Sequence, residues 1–105
     1  MAYNKLSPYC TKVISDDHGL IVRYHQTDIV VMRLVLGRRI VMLDTGGWKG
    51  VTTKRKMNQA ANQFDLSYGV HQHRHEWYVT TRAGVFGFGD RAFTFNADTG
   101  VPLSA

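Results

Sequence analysis

The chain contains a single cysteine, no long apolar run and few acidic residues, and each shortage excludes a class of protein. Cys10 is the only cysteine, so an internal disulfide is excluded and a reducing compartment is expected. None of the apolar runs approaches the roughly 20 residues of a membrane-spanning helix. The first residues lack the apolar centre of a secretion signal. We therefore expect neither a membrane protein nor an exported one.

Acidic residues are outnumbered by basic ones. Eight Asp and Glu residues stand against thirteen Lys and Arg residues, which gives a net charge of +5 and a pI near 9.7. This excess favours acidic partners, with nucleic acid first among them. The 105 residues suffice for one domain, 1–105, and a composition of 44% hydrophobic and 20% charged residues is typical of a folded globular chain.

Short apolar segments separated by turn residues predict β hairpins along most of the chain. A loose N-terminal arm (1–11) precedes them and a flexible tail (96–105) follows them. The predicted strand pairs are 12–15 with 20–24, 28–36 with 39–43, 68–73 with 77–81, and 85–88 with 92–95. The continuous apolar run 29–32 favours a central strand covered on both faces, and Gly37 supplies the positive φ of a tight turn.

One helix interrupts the strands. An apolar stripe at positions i, i+3, i+4 and i+7 predicts a helix over residues 53–64 that lies on a sheet. The stripe consists of Met57, Ala60, Ala61 and Phe64. Thr52 or Thr53 is the expected N-cap. The predicted fold class is therefore α+β, mainly an antiparallel β meander of hairpins with one amphipathic helix packed on the sheet.

The last predicted hairpin carries four alternating phenylalanines, which are Phe86, Phe88, Phe93 and Phe95. Alternation along a strand places side chains on one face, so we expect them to form the core face of this hairpin. An RNA-recognition domain also displays aromatic residues on its strands, but it requires two helices where only one is predicted.

The first turn of the predicted helix carries three cations and no acid. Lys54, Arg55 and Lys56 occupy positions where the helix dipole favours carboxylates, and the predicted helix contains no acidic residue before Asp65. Unbonded N–H groups beside cations suit a phosphate or a carboxylate. Asn58 adds an amide that can contact base edges. The alternative is an ordinary solvated helix face.

Further cations lie close to this segment in sequence. Arg38 and Arg39 are at a strand turn, and Lys49 follows Trp48 in a Gly-rich loop before the helix. If the turn and the helix start lie on one side of the molecule, they form one basic surface. Trp48 either stacks on a base or anchors a partner, or it folds under the loop and caps the core. We predict that this basic loop–helix patch is the binding site.

Alternating histidines are the other candidate for chemistry. His71 and His73 share one face of a predicted strand, and His-x-His is a known metal-ligand arrangement. His75 falls in the expected turn, which moves it off that face. Cys10 has no neighbouring His in sequence and no nucleophile elbow is present, so no catalytic residue is predicted. No cofactor is predicted either, although a metal site at His71 and His73 stays an alternative.

Parts of the chain resemble a group of small proteins encoded by tailed bacteriophages. The similarity extends from residue 24 to about residue 79, about half of the chain, and it lies in residues 24–30, 43–48, 51–59, 70–72 and 77–79. Its most distinctive part is a Gly-Gly-Trp loop followed by a Thr-Thr-Lys-x-x-Met-Asn helix start. The resemblance implies a strand, this loop, the helix and a closing hairpin, and it implies a phage origin and action inside a bacterial host. It implies no activity.

These observations predict a small, non-enzymatic binding protein that acts in the host cytoplasm. Its expected partner is nucleic acid, or an acidic host protein that handles nucleic acid, and no membrane is involved. A metal-dependent hydrolase or nuclease that uses His71 and His73 is one alternative. An inhibitor of a host protein without nucleic-acid contact is another, and a homo-oligomer that pairs its sheet edges remains open.

Overall fold

The computed structural model describes residues 8–47, 50–88 and 92–103, which form two antiparallel sheets and one helix. The strands and the helix are β1 (Thr11–Asp16), β2 (Gly19–Tyr24), β3 (Thr27–Val35), β4 (Arg38–Leu43), α1 (Val51–Phe64), β5 (Gly69–His73), β6 (Glu76–Thr81), β7 (Gly84–Gly87) and β8 (Phe93–Asn96). The predicted α+β class is confirmed. Within the described residues, α1 is too short and too polar to cross a membrane.

The larger sheet has five strands in the order β1-β2-β3-β4-β8. The central position of β3 agrees with its continuous apolar run. Ile29 and Val30 are consecutive and both buried, as a strand covered on both faces requires. Leu34 and Val35, at the other end of β3, are exposed. The double covering is therefore confined to the first half of the strand.

The turn between β3 and β4 is a two-residue turn at Leu36 and Gly37. Both residues have positive φ, 52° and 78°. A pair of positive φ values gives the turn twist that fits antiparallel strands. The positive φ predicted for Gly37 is confirmed, and β4 begins at Arg38.

Helix α1 begins two residues earlier than predicted. Its N-cap is Gly50, with extended backbone angles and no side-chain hydrogen bond, so the prediction of Thr52 or Thr53 as the cap was wrong. The Thr53 side chain is instead buried. The helix ends at Phe64, as predicted, because Asp65 adopts a left-handed conformation and its N–H donates to the carbonyl of Ala61.

The smaller sheet, in the order β5-β6-β7, corrects the last predicted hairpin. Strand β7 pairs with β6, whereas β8 pairs with β4 in the larger sheet. The aromatic side chains pack between the two sheets: the rings of Phe86 and Phe93 stack at 5.8 Å, and those of Phe88 and Phe93 lie 6.1 Å apart. The alternation identified core residues correctly but could not identify their strand partners. The predicted turn at 89–91 lies outside the described residues.

One hydrophobic core joins the two sheets and the helix. The fully buried side chains come from every layer, and they include Val22, Val30, Val41, Leu43, Met57, Ala60, Val79 and Phe95. Leu66 and Trp77 belong to the same buried cluster. Burial of this apolar surface is the main stabilising term of the fold.

The segment after β8, predicted as part of a flexible tail, has backbone partners in the structure. The Asn96 side chain accepts the N–H groups of Asp98 and Thr99 and so forms a turn. Beyond the turn, Pro102 lies in a β-bridge with Phe95. Thr11 of the predicted N-terminal arm already belongs to β1. Residues 1–7 and 104–105 lie outside the described residues.

Candidate functional site

A cleft of about 1150 Å³ opens where α1 begins. Its walls are the start of β1, the turn between β2 and β3, the flanks of the 47–50 loop and the first turn of α1. The lining residues are Pro8, Cys10, Thr11, Lys12, Arg23, Tyr24, His25, Gln26, Thr27, Gly47, Gly50, Val51, Thr52 and Thr53. Among them are two cations and a histidine, and no described lining residue is acidic.

The N-terminus of α1 reaches the cleft without a neutralising side chain. Gly50 provides no side-chain cap, and the first turn holds no acidic residue. The first N–H groups of a helix have no partner within the helix, and they carry the positive end of its dipole. The first hydrogen bond within the helix is donated by the Lys54 N–H to the Gly50 carbonyl, at 3.2 Å. The start of α1 is therefore an electropositive wall of the cleft.

Lys56 lies behind this wall rather than on the surface. Its side chain is 1% exposed, and its ammonium group is 5.1 Å from the centre of the Tyr24 ring. Burial lowers the Lys56 pKa, opposed by a weaker effect of Cys10. The attraction between a cation and an aromatic face partly offsets the free energy that the cation loses when it leaves water. The structure thus corrects the prediction of Lys56 as a surface contact.

Two other residues of the predicted patch contact the second sheet. The Lys54 ammonium donates to the Gln72 amide oxygen at 2.9 Å. The Asn58 amide donates to the Val70 carbonyl at 2.9 Å and accepts the Val70 N–H at 2.7 Å. Asn58 thereby pairs with β5 as a neighbouring strand would, because the free edge of β5 faces the helix. Its polar atoms stabilise the fold at this position.

Arg38 and Arg39 lie at the other end of the molecule. They begin β4, whereas the cleft is at the opposite end of the β3–β4 pair, where β3 starts. The Arg39 Nε is 3.0 Å from Asp98 Oδ1, and its Nη1 donates to the Asp65 carbonyl at 2.7 Å. Arg39 therefore holds the C-terminal end of α1. The structure does not join these arginines to the helix start, so the expectation of one continuous basic surface was wrong.

Of the predicted patch, Arg55 is exposed, and it is not among the residues that line the cleft. It lies three residues after Thr52, which lines the cleft, so the two share one side of the helix. Trp48 and Lys49 lie outside the described residues. Their predicted contacts stay predictions.

His71 and His73 both lie on β5 and are exposed. The His71 ring stacks with the Tyr78 ring at 5.7 Å. His75 has a φ of 69° and belongs to the turn after β5. Among the described residues, no three side chains of His, Cys, Asp or Glu come together as metal ligands do.

The aromatic residues beside the cleft were missed by the sequence analysis. The Tyr24 and His25 rings lie 4.3 Å apart, and the Tyr9 ring meets that of His25 edge-on at 6.4 Å. Tyr9 is 69% exposed. Fourteen residues separate Tyr9 from Tyr24, and only the pairing of β1 with β2 brings them together. The sequence carried no local signal for this cluster.

Comparison with known proteins assigns the chain to a phage family. The family model for the Kyanoviridae Gp96 protein matches residues 1–98 of the 105. No curated protein and no solved structure matches the chain. Since the family model spans nearly all of the sequence, the chain belongs to the Kyanoviridae Gp96 family, a family of tailed-phage proteins.

Proposed function

We propose that this phage protein is a non-enzymatic binding protein that holds single-stranded nucleic acid in the cleft, within the host cytoplasm. One observation carries the proposal: the cleft combines an uncapped helix N-terminus with basic side chains and has no acidic residue among its described lining. The net charge of +5 adds a long-range attraction for polyanions.

Phosphate recognition belongs to the helix wall. The N–H groups of Val51, Thr52 and Thr53 are at the start of α1, and the three residues line the cleft. Such groups bind phosphate through hydrogen bonds and through the helix dipole. Lys12 on β1 and His25 in the turn after β2 also line the cleft. Arg23 contributes less charge, because its Nε is 2.6 Å from Asp28 Oδ1.

Base recognition belongs to the aromatic residues. Tyr9 is exposed and packs edge-on against His25, which lines the cleft, so its ring is held at the edge of the cleft. Stacking of a base on an aromatic side chain is worth about 1–3 kcal/mol and tolerates any sequence. A base must be unpaired to stack in this way. The geometry therefore favours single strands over a duplex.

The test is fluorescence anisotropy with labelled single-stranded DNA, single-stranded RNA and duplex DNA between about 50 and 200 mM salt. We expect steeply salt-dependent binding that is stronger for the single strands. Arg55→Ala should weaken binding and reduce the salt slope by about one. Arg74→Ala is the matched control, since Arg74 is an exposed arginine in the turn after β5.

Tyr9→Leu separates stacking from charge. It should weaken single-strand binding about tenfold or more and leave the salt slope unchanged. Equal losses for Arg55→Ala and Arg74→Ala would show a nonspecific charge effect and refute the cleft. Absence of binding to all three probes at 50 mM salt would refute direct nucleic-acid binding and favour a host protein as the target.

A further inference from the structure

Strand β1 forms one edge of the five-stranded sheet, and no described strand pairs with its outer side. After Thr11, every residue of β1 is exposed. Val13 and Ile14 are 41% and 39% exposed, on opposite faces of the strand. Natural proteins protect long edge strands of this kind, because their unpaired N–H and C=O groups bind other strands.

The hydrogen bonds of the hairpin show which backbone groups point outward. The His25 N–H donates to the Cys10 carbonyl at 2.8 Å, so residues 10 and 25 form a hydrogen-bonded pair. Such pairs alternate along an antiparallel ladder. In the observed register, Lys12, Ile14 and Asp16 therefore bond inward to β2. The N–H and C=O groups of Val13 and Ser15 point outward at the free edge.

The side chains of β1 are complementary to a second copy of the same strand. Its sequence places Lys12 two residues before Ile14 and Asp16 two residues after it. When two copies run antiparallel about a two-fold axis at Ile14, each Lys12 lies opposite the Asp16 of the other copy. Val13 then lies opposite Ser15, with the outward backbone groups of both in register. Opposite charges facing each other across a ladder stabilise it.

We propose that two copies of this chain associate by antiparallel β1–β1 pairing centred on Ile14. The two five-stranded sheets then become one sheet of ten strands. Ile14 is followed across the sheet by Ile21, Val31 and Met42 in register, so the apolar row on this face continues through both copies. Alternative centres at Val13 or Ser15 break both ion pairs, and the charges therefore select this register.

The Asp16 carboxylate has capacity for a second partner. Its Oδ1 accepts the His18 N–H at 2.8 Å within the turn. A carboxylate can accept at about four lone-pair positions, so it can bind a lysine as well. Pairing along one six-residue edge buries less surface than a standard interface. We expect a dimer with a dissociation constant in the micromolar range.

The test is the mass in solution, measured by sedimentation equilibrium from about 5 to 500 µM. The proposal predicts a rise from 11.9 kDa to twice that mass. Lys12→Glu and Asp16→Lys should each weaken the dimer at least tenfold. An equimolar mixture of the two variants should associate again, because each glutamate or aspartate then faces a lysine. The double variant Lys12→Glu/Asp16→Lys should also dimerise.

Arg33→Glu is the matched control, since Arg33 is exposed on the same sheet face but lies on β3. It should dimerise like the natural chain. A monomer at every concentration overturns the proposal, and so does a dimer that the charge variants leave unchanged. Failure of the mixed variants to associate also overturns it. These readouts are masses, so they do not depend on whether the cleft binds nucleic acid.

Discussion

The two ends of helix α1 differ in how their charged and polar groups are satisfied. At the C-terminal end, Arg39 pairs with Asp98 and donates to the Asp65 carbonyl. At the N-terminal end, Gly50 provides no side-chain cap and the first turn has no acidic residue. Groups satisfied within the chain stabilise the fold, whereas an uncompensated positive end is available to an external anion. We therefore place the proposed binding site at the N-terminal end.

The largest effect on stability is expected at Asn58, between the two ends. Asn58→Ala removes both hydrogen bonds to Val70 and leaves its backbone groups without those partners. We expect the free energy of unfolding to fall by about 2 kcal/mol. Asn62→Ala, on the exposed side of the helix, should instead be neutral or stabilise by a few tenths of a kcal/mol. Urea unfolding measures both.

Equal stability of these two variants would contradict a structural role for Asn58. The assignment of Asn58 to the fold rather than to a ligand would then lose its basis. If Asn58→Ala unfolds at a lower urea concentration but binds nucleic acid normally when folded, the result supports a role for Asn58 in the fold alone.

A smaller effect on stability, which depends on pH, is expected at the C-terminal end of α1. The Arg39 side chain, and then its backbone N–H, hold the pKa of Asp98 below its usual value. A carboxyl whose folded pKa is lowered contributes stability above its unfolded pKa, and that contribution is lost as the pH falls through the folded pKa. Arg39→Ala should lower the Tm at pH 7 and flatten the fall in Tm below about pH 4. An unchanged acid profile would contradict the pairing.

The smallest effect at neutral pH is expected at Lys56. Its folded pKa lies below 10.5 because burial disfavours the charged form. The unfolded chain therefore binds more protons between the lowered pKa and 10.5, so this lysine makes stability rise with pH in that window. Relative to Lys56→Met, the natural chain should gain free energy of unfolding from pH 7 to pH 10. Urea unfolding at both values checks the sign, and a relative loss would contradict it.

Periodicity predicted the elements of this fold, because alternation and helical spacing are local. It placed the helix stripe at Met57, Ala60 and Ala61, which are buried as expected. It failed for β7 and β8, since two neighbouring apolar segments favour a hairpin, whereas these two strands belong to different sheets. A local pattern is enough to predict that a segment forms a strand, whereas the partner of that strand depends on how the core packs.

The candidate site was harder to predict from the sequence than the strands and the helix. Lys54, Arg55 and Lys56 are adjacent in sequence but have three different environments, one bonded to Gln72, one exposed and one buried. The spacing of Thr53, Lys56 and Ala60 could have indicated that Lys56 is buried, since these three residues extend the buried stripe of the helix. No local pattern joined His25 to Thr52, because the cleft between them exists only after the strands pair.

An acid placed at either end of α1 tests directly whether nucleic acid binds at the N-terminal end of the helix. Thr52→Asp puts a carboxylate in the first turn beside the cleft, where the helix dipole favours it, so the fold should be as stable or slightly more stable. Asn62→Asp makes the same change in net charge on the exposed face near the other end. The measurement is the affinity for labelled single-stranded DNA at 50 mM salt.

We expect about a tenfold loss of affinity for Thr52→Asp, since one added charge close to a bound phosphate costs roughly 1.4 kcal/mol. Asn62→Asp should stay within about twofold of the natural chain, because its charge is separated from the cleft by most of the helix. Equal affinities for the two variants would contradict the claim that the N-terminal end of α1 is the binding site.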